Sequence, residues 1–184
     1  MAIAEVKARL EDDIMAGNTN WHISRETADY ICMLLRAYKP MRLLEIGTST
    51  GYSAICLAEA LGAWKGQLIT VESNETRFHI AKTNIEASGL TNITQIRGHA
   101  PEILSDIPGT FDCIFLDATK YEHTSYFHAL KDRLKQGGTI VADNILSHKT
   151  DMNEYKKTVE SDPQFESYVE NVGAGLFVSR KIHQ

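Results

Sequence analysis

The stretch LLEIGTSTGYSAICLAEAL, residues 43–61, contains a strand pattern, a glycine turn and a helix pattern in direct succession. Residues 42–46, RLLEI, are a short apolar run typical of a buried strand, and residues 50–61, TGYSAICLAEAL, favour a helix. A strand that enters a helix through a tight turn is the opening half of a β–α–β unit. The stretch therefore predicts an α/β fold with a parallel sheet.

The same alternation of strand and helix patterns continues on both sides of this stretch. Further strands are predicted at residues 67–72, 92–97, 111–117 and 137–143, the last entered through a diglycine turn. Helices are predicted at residues 1–15, 24–38, 75–90, 101–107, 122–135 and 151–161, and a hairpin of residues 165–171 and 175–181 ends the chain. This order predicts a mainly parallel sheet with helices on both faces.

Composition is that of an ordinary soluble domain. The 184 residues are 43% apolar and 23% charged, with a net charge of −5, so no general basic surface for nucleic acid is indicated. No apolar run approaches the roughly 20 residues of a membrane span. The three cysteines are far apart in apolar patterns, which predicts free buried thiols in a reducing cytoplasm. We expect one domain over residues 1–184, with residues 1–22 as a short helical extension.

Four acidic residues occupy the ends of predicted strands: Glu45, Glu72, Asp117 and Asp143. Ligands of open α/β sheets bind at the carboxyl ends of the strands, which meet at one edge. One acid at a strand end is unremarkable, but four in a short domain indicate a site at that edge.

The glycine turn distinguishes two kinds of nucleotide cofactor. A G-x-G-x-x-G dinucleotide motif would need glycines at 47, 49 and 52, but Ser49 and Tyr52 stand there, which disfavours an NAD-dependent oxidoreductase. An acid just before Gly47 suits a positively charged group, and Glu72 can accept both hydroxyls of a ribose. Together they favour S-adenosylmethionine. The alternative is a glycine turn that serves only tight packing, with two surface glutamates.

Six segments in register resemble one family. They are LLEIGTSTGYSAICLAEAL, VESN, IRGHAPEIL, FDCIFLDATK, GGTIVADN and VGAGLFVSRK. Over about residues 23–182 the chain resembles the class I S-adenosylmethionine-dependent O-methyltransferases of the caffeoyl-CoA and catechol type, including their bacterial relatives. The resemblance implies a Rossmann-like, seven-stranded sheet with a reversed last strand.

The resemblance also implies how the cofactor is held. Glu45, Gly47, Thr48 and Ser53 would contact its methionine part, Glu72 its ribose, and His99 with Ala100 its adenine. Gly51 and Asp117 complete the predicted cofactor-binding set, and the match places Ile23 and Ser24 at the cofactor's edge.

A metal site is implied at Asp117, Asp143 and Asn144. Two carboxylates and an amide carbonyl are hard oxygen ligands, which suit Mg²⁺, Ca²⁺ or Mn²⁺. The alternative for Asp143 and Asn144 is a turn-favouring pair at a strand end. The histidines are expected to be scattered over the surface, except that His148 could face the substrate.

Lys120 is predicted to be catalytic together with Asp117. A lysine in a D-x-x-K pattern is a proposed general base in related enzymes, and a nearby dication and partial burial both disfavour its ammonium form. Asp117 would then hold the metal while Lys120 takes the proton. The alternative is a solvated lysine at a helix start.

Three positions and two regions depart from the family pattern. Thr119 and His99 stand where acids are common, and Ser147 where an aromatic residue is common. The regions before residue 23 and after Asp143 are short, so the acceptor side is less supported than the cofactor side.

The expected function is metal-dependent O-methylation of a small, catechol-like hydroxylated molecule in the cytoplasm, by a chain that could form a homodimer. Two alternatives stay open. One is methylation of a hydroxylated base in tRNA, against which the pI of about 5.8 argues mildly. The other is a non-catalytic module that binds S-adenosylmethionine.

Overall fold

The computed structural model describes residues 2–17 and 22–183. The helices are α1 Ile3–Met15, α2 Arg25–Tyr38, α3 Tyr52–Gly62, α4 Glu75–Ser88, α5 His123–Leu130 and α6 Lys149–Glu160. The strands are β1 Arg42–Ile46, β2 Gln67–Glu72, β3 Ile93–Arg97, β4 Phe111–Leu116, β5 Leu134–Ala142, β6 Phe165–Glu170 and β7 Leu176–Lys181. Short 3₁₀ turns cover Glu102–Asp106, Lys120–Glu122 and Lys131–Arg133.

Within the described residues, seven strands form one sheet in the order β3-β2-β1-β4-β5-β7-β6. β1 to β5 pair in parallel, whereas β7 is antiparallel to both of its neighbours, β5 and β6. This confirms the predicted sheet with a reversed last strand and its terminal hairpin. The carboxyl ends of β1, β2, β4 and β5 therefore meet at one edge.

Apolar side chains fill a core on each face of the sheet. Alternate residues of β1 show the two sides, since Leu43 belongs to the core under α2 and α3 while Leu44 belongs to the core under α5 and α6. Val6 and Leu10 of α1 are buried in the first core. The three cysteines are free and buried, as predicted. Residues 1 and 18–21 of the predicted N-terminal extension lie outside the described residues.

The predicted C-terminal end of the helix at 122–135 is wrong, and so is the predicted diglycine turn that follows it. α5 ends at Leu130, and β5 already begins at Leu134, so Gly137 and Gly138 lie inside the strand. The register with β4 shifts between Phe111 and Cys113, which is a bulge in β5. A side chain at Gly138 would lie 2.8 Å from the Lys135 carbonyl oxygen, so the bulge requires glycine there.

Among the described residues, none of the helices combines the length and the apolar character that crossing a bilayer requires.

Candidate active site

A cavity of about 570 Å³ opens at the carboxyl edge of the sheet, between the loops that follow the parallel strands. Eight of the predicted site residues line it: Gly47, Glu72, His99, Ala100, Asp117, Lys120, Asp143 and Asn144. Residues from five separate loops therefore meet around one space. Glu45, Thr48, Gly51 and Ser53 are outside the described lining and lie in or next to the β1–α3 turn.

Gly47 is required by the neighbouring loop. Its φ is 107°, and an added Cβ would collide with the carbonyl oxygen of Asp117. The Gly47 and Thr48 amides donate to the Val71 carbonyl oxygen at 2.9 and 3.1 Å. Tight packing, the alternative interpretation of the turn, therefore explains why residue 47 is a glycine. The same close approach places the turn after β1 next to Asp117 at the cavity wall.

Glu45 is a fully buried carboxyl beneath this turn. The Thr70 hydroxyl donates to its Oε2 at 2.5 Å, and the Thr48 and Thr70 hydroxyls are also 2.5 Å apart. Its Oε1 is buried and finds no hydrogen-bond partner in the part of the chain that the structure describes. Burial raises the pKa of Glu45 to about 7. The alternative that Glu45 is a surface residue is therefore wrong.

Glu72 lines the cavity but is only 3% exposed, so it is not a surface glutamate either. The Ser49 amide donates to Oε2 at 2.8 Å, and the Asn74 amide donates to Oε1 at 2.8 Å. Arg77 Nη2 also donates to Oε1, at 2.9 Å. Because Oε1 is crowded, a ribose hydroxyl would find its free lone pair on Oε2.

Arg77 also lines the cavity, although no motif in the sequence pointed to it. The available signal was an arginine in the first turn of the helix that follows Glu72, the acid predicted to bind a ribose. A charged residue at that position is more often solvated, so the pattern alone could not single it out.

His99 joins two loops at the other end of the cavity. Its Nδ1 is 2.6 Å from Glu102 Oε2, and its Nε2 is 3.1 Å from Glu122 Oε1. Glu122 also accepts a hydrogen bond from the buried Tyr126 hydroxyl at 2.6 Å. The pKa of His99 is raised, chiefly by the hydrogen bond with Glu102.

The described lining of the N-terminal side includes His22 but neither Ile23 nor Ser24. The His22 Nε2 is 3.0 Å from the Thr50 hydroxyl. Ile23 is buried in the core, and the Ser24 hydroxyl accepts the Thr27 amide at the start of α2. The structure therefore places His22, rather than Ile23 or Ser24, at the cavity.

Asp117, Asp143 and Asn144 follow the adjacent strands β4 and β5. Asp143 Oδ1 and Asn144 Oδ1 are both buried with no hydrogen-bond partner among residues 2–17 and 22–183. Burial, with the nearby charge of Asp117, raises the pKa of Asp143 to about 7. Burial also raises the pKa of Asp117, against the opposing effect of Lys120.

These three residues fit a divalent cation. Unpaired buried oxygens of a carboxylate and an amide, beside a second carboxylate, are the donors that such ions prefer. In the described residues, no group of three or more His, Cys, Asp or Glu side chains could hold a metal ion. A site here would therefore depend on the Asn144 amide as its third ligand.

Lys120 is paired rather than solvated. Its Nζ lies 3.0 Å from Asp117 Oδ1, and its side chain is 21% exposed. His148 also lines the cavity, and its Nδ1 is 3.0 Å from the Ser147 hydroxyl. The expectation of surface histidines is wrong for His123, which is fully buried, and burial lowers the pKa of its imidazole to about 4.

Comparisons with known proteins agree with this arrangement. A family model described as O-methyltransferase matches residues 9–182. A catechol O-methyltransferase of Niastella koreensis is 35% identical over 150 residues, which are 74% of this chain and 67% of that protein. Caffeoyl-CoA O-methyltransferase 1 of Arabidopsis thaliana is 28% identical over 190 residues, covering 88% of this chain and 73% of that protein.

A solved structure gives the same result. The O-methyltransferase of Bacillus cereus in complex with S-adenosylhomocysteine has a TM-score of 0.85 and 25% identity, covering 97% of this chain and 90% of that one. The chain belongs to the O-methyltransferase family. Membership confirms the predicted class of enzyme, an S-adenosylmethionine-dependent O-methyltransferase.

Proposed function

We propose that this chain transfers the methyl group of S-adenosylmethionine to a hydroxyl oxygen of a small catechol-like acceptor, aided by Mg²⁺, Mn²⁺ or Ca²⁺. The observation that carries the proposal is the convergence of Lys120, Asp117 and the unpaired Asp143 and Asn144 oxygens on one cavity. The identity with the Niastella koreensis catechol O-methyltransferase supports the acceptor class.

The methyl donor would occupy the side of the cavity formed by the loops after β1, β2 and β3. Glu72 would hold the ribose through Oε2, and His99 with Ala100 would lie beside adenine. The complex of the Bacillus cereus relative with S-adenosylhomocysteine supports this ligand class. The sulfonium would then lie toward Asp117, where negative charge favours a cation.

The acceptor would bind on the side of Lys120 and His148. When bound, a divalent cation held by Asp117, Asp143 and Asn144 would lower the pKa of the acceptor hydroxyl. The bound cation and partial burial would disfavour the ammonium form of Lys120, and its neutral Nζ would then take the hydroxyl proton. The acceptor oxygen would then bond to the methyl carbon in line as the carbon–sulfur bond breaks and S-adenosylhomocysteine leaves. Because opposite charges neutralise during transfer, a site that orients both reactants with little water favours the reaction.

The test is methyl transfer from labelled S-adenosylmethionine to a catechol panel, with EDTA or with added Mg²⁺. We expect EDTA to abolish transfer and Mg²⁺ to restore it. Asp143→Asn should lose the rise in melting temperature that Mg²⁺ gives, because one ligand is weakened. Asp151→Asn, at an exposed position of α6, is the matched control. Full transfer in EDTA by both wild type and Asp143→Asn would remove the metal from the mechanism.

We further propose a cytoplasmic location and a homodimer. The free, buried state of all three cysteines supports a reducing compartment. The homodimer and the single domain over residues 1–184 remain predictions from the resemblance and the composition. Light scattering of the purified chain would test the dimer.

A further inference from the structure

Two buried polar side chains face each other beneath the turn that carries Lys120. His123 begins α5 and Tyr155 lies within α6, and both are at most 1% exposed. Their rings meet edge to face, with centroids 5.5 Å apart. His123 Nε2 and the Tyr155 hydroxyl are buried, and neither has a hydrogen-bond partner in the described chain.

The two atoms are complementary. His123 Nδ1 lies 3.1 Å from the Thr119 carbonyl oxygen, which can only accept, so Nδ1 carries the proton. Nε2 of the neutral ring is then an acceptor, and the Tyr155 hydroxyl is a donor. One ordered water between them could accept a hydrogen bond from the Tyr155 hydroxyl and donate one to Nε2.

Burying these two polar side chains without partners lowers the free energy of unfolding relative to apolar side chains at the same positions. Buried polar atoms pay a desolvation penalty, whereas replacing both partners by apolar groups of similar shape is nearly neutral or stabilising. A polar pair of this kind therefore indicates a role other than stability.

The position of the pair indicates what that role is. Thr119, which His123 contacts, lies between Asp117 and Lys120 in the chain, and its carbonyl also accepts the Glu122 amide at 3.0 Å. α6 begins five residues after Asn144, so the pair spans the two segments that carry the proton acceptor and the predicted cation ligands. Its pairing would fix one segment against the other.

We propose that His123 and Tyr155 are positioning residues, which hold the Asp117–Lys120 turn against α6 in the orientation that methyl transfer needs. The inference rests on the proposed role of Lys120. Since a displacement of about 1 Å in a reacting group can cost on the order of 100-fold in rate, a loosened turn should reduce turnover while leaving the cofactor side intact.

The experiment uses the full chain with His123→Phe/Tyr155→Phe, the two single variants and His123→Asn. We expect the double variant to lose roughly 10- to 100-fold in kcat, with the Kd for S-adenosylhomocysteine unchanged within about twofold and an equal or higher melting temperature. His123→Asn should recover part of kcat, because its amide can donate to the Thr119 carbonyl. Tyr168→Phe, at an exposed tyrosine of β6, is the matched control.

Several results would overturn the inference. An unchanged kcat in the double variant would contradict it. A loss of kcat would also contradict it if the variant lost S-adenosylhomocysteine affinity equally or had a lower melting temperature. Equal kcat in His123→Asn and His123→Phe would do the same. If the double variant does not fold, unchanged kcat in Tyr155→Phe refutes the inference.

Amide hydrogen exchange separates this inference from the proposed function. Exchange at residues 117–122 should accelerate in the variants while the central strands keep their protection, whatever the acceptor is. If wild type methylates no hydroxylated acceptor, the proposed function fails and the exchange result still decides the positioning role. Unchanged exchange at residues 117–122 would refute that role alone.

Discussion

Lys120 is the residue whose proposed catalytic role can be tested most directly by substitution. The structure pairs it with Asp117 at 3.0 Å on the cavity wall, where the proposed mechanism needs a proton acceptor for the substrate hydroxyl. The D-x-x-K pattern and the resemblance pointed to this position. The structure adds that Lys120 is mostly buried and ion-paired, which separates it from the solvated lysine that the pattern also allowed.

Lys120→Met should reduce kcat by about 10²- to 10⁴-fold, the usual contribution of a positioned acid or base. The Kd for S-adenosylhomocysteine should remain within a fewfold of wild type, because Glu72 and the β1 turn are untouched. Both quantities are measured by labelled methyl transfer and calorimetry. Lys149→Met, at the exposed start of α6, is the control. Near-normal turnover in Lys120→Met would show that another group takes the proton.

Individual pairings were the least predictable feature of the site. The acids at the strand ends were found from sequence because strand ends are local features. The bridge from His99 to Glu122 depends on how the loops after β3 and β4 approach each other. The ion pair of Arg77 with Glu72 depends on the conformation of the short connection between β2 and α4. No periodicity within one segment reports such contacts.

The β1–α3 turn illustrates how an element is determined by its neighbour. The glycine turn was predicted to approach a positively charged ligand, with tight packing alone as the alternative. The structure shows that an added Cβ at Gly47 would meet the Asp117 backbone, supplied by the loop after β4. The missing side chain at Gly47 therefore lets the predicted cofactor side of the cavity pack against the proposed metal side.

Gly47→Ala should lower the free energy of unfolding by about 3 kcal/mol or more, because a strained φ and a backbone collision add together. Gly89→Ala is the matched control, since its φ is 71° but no atom lies within 4 Å of an added Cβ. Its loss should be about 1 kcal/mol. Urea denaturation measures both. Equal losses in the two variants would contradict the packing role of Gly47.

The β4–β5 pair shows where sequence patterns fail. Two adjacent glycines ordinarily favour a turn, so Gly137 and Gly138 were predicted to form the turn that enters a strand over residues 137–143. In the sheet, Cys113 pairs with Thr139 while Phe111 pairs with Leu134, and the extra β5 residues form the bulge. Partner strands decide such a register, and the sequence of one strand does not contain it.

At the scale of the whole molecule, the ionisation of the buried Glu45 carboxyl makes the free energy of unfolding depend on pH. Glu45 has its pKa raised to about 7 by burial, from 4.5 for an ordinary glutamate. The unfolded chain loses this proton near pH 4.5, whereas the folded chain retains it until about pH 7. Stability that this proton contributes is therefore lost as the pH rises through that window.

Glu45→Gln should remove this dependence in the cofactor-free protein, because glutamine does not titrate. Its free energy of unfolding relative to wild type should increase by roughly 3 kcal/mol between pH 4 and pH 8. Urea denaturation at several pH values measures the difference, with Glu86→Gln at an exposed position of α4 as control. A difference that stays constant over this range would show that Glu45 ionises normally in the folded chain.

The sequence by itself determined the class of fold, the order of most elements, the edge at which the acids meet and the family. These features follow from hydrophobic periodicity and from turn residues, which act over a few positions. Only the tertiary structure decided which predicted residues reach the cavity, which neighbour Gly47 must avoid, and that His123 is buried against Tyr155. Those outcomes depend on contacts between segments far apart in the chain, whose geometry arises from packing of the whole sheet.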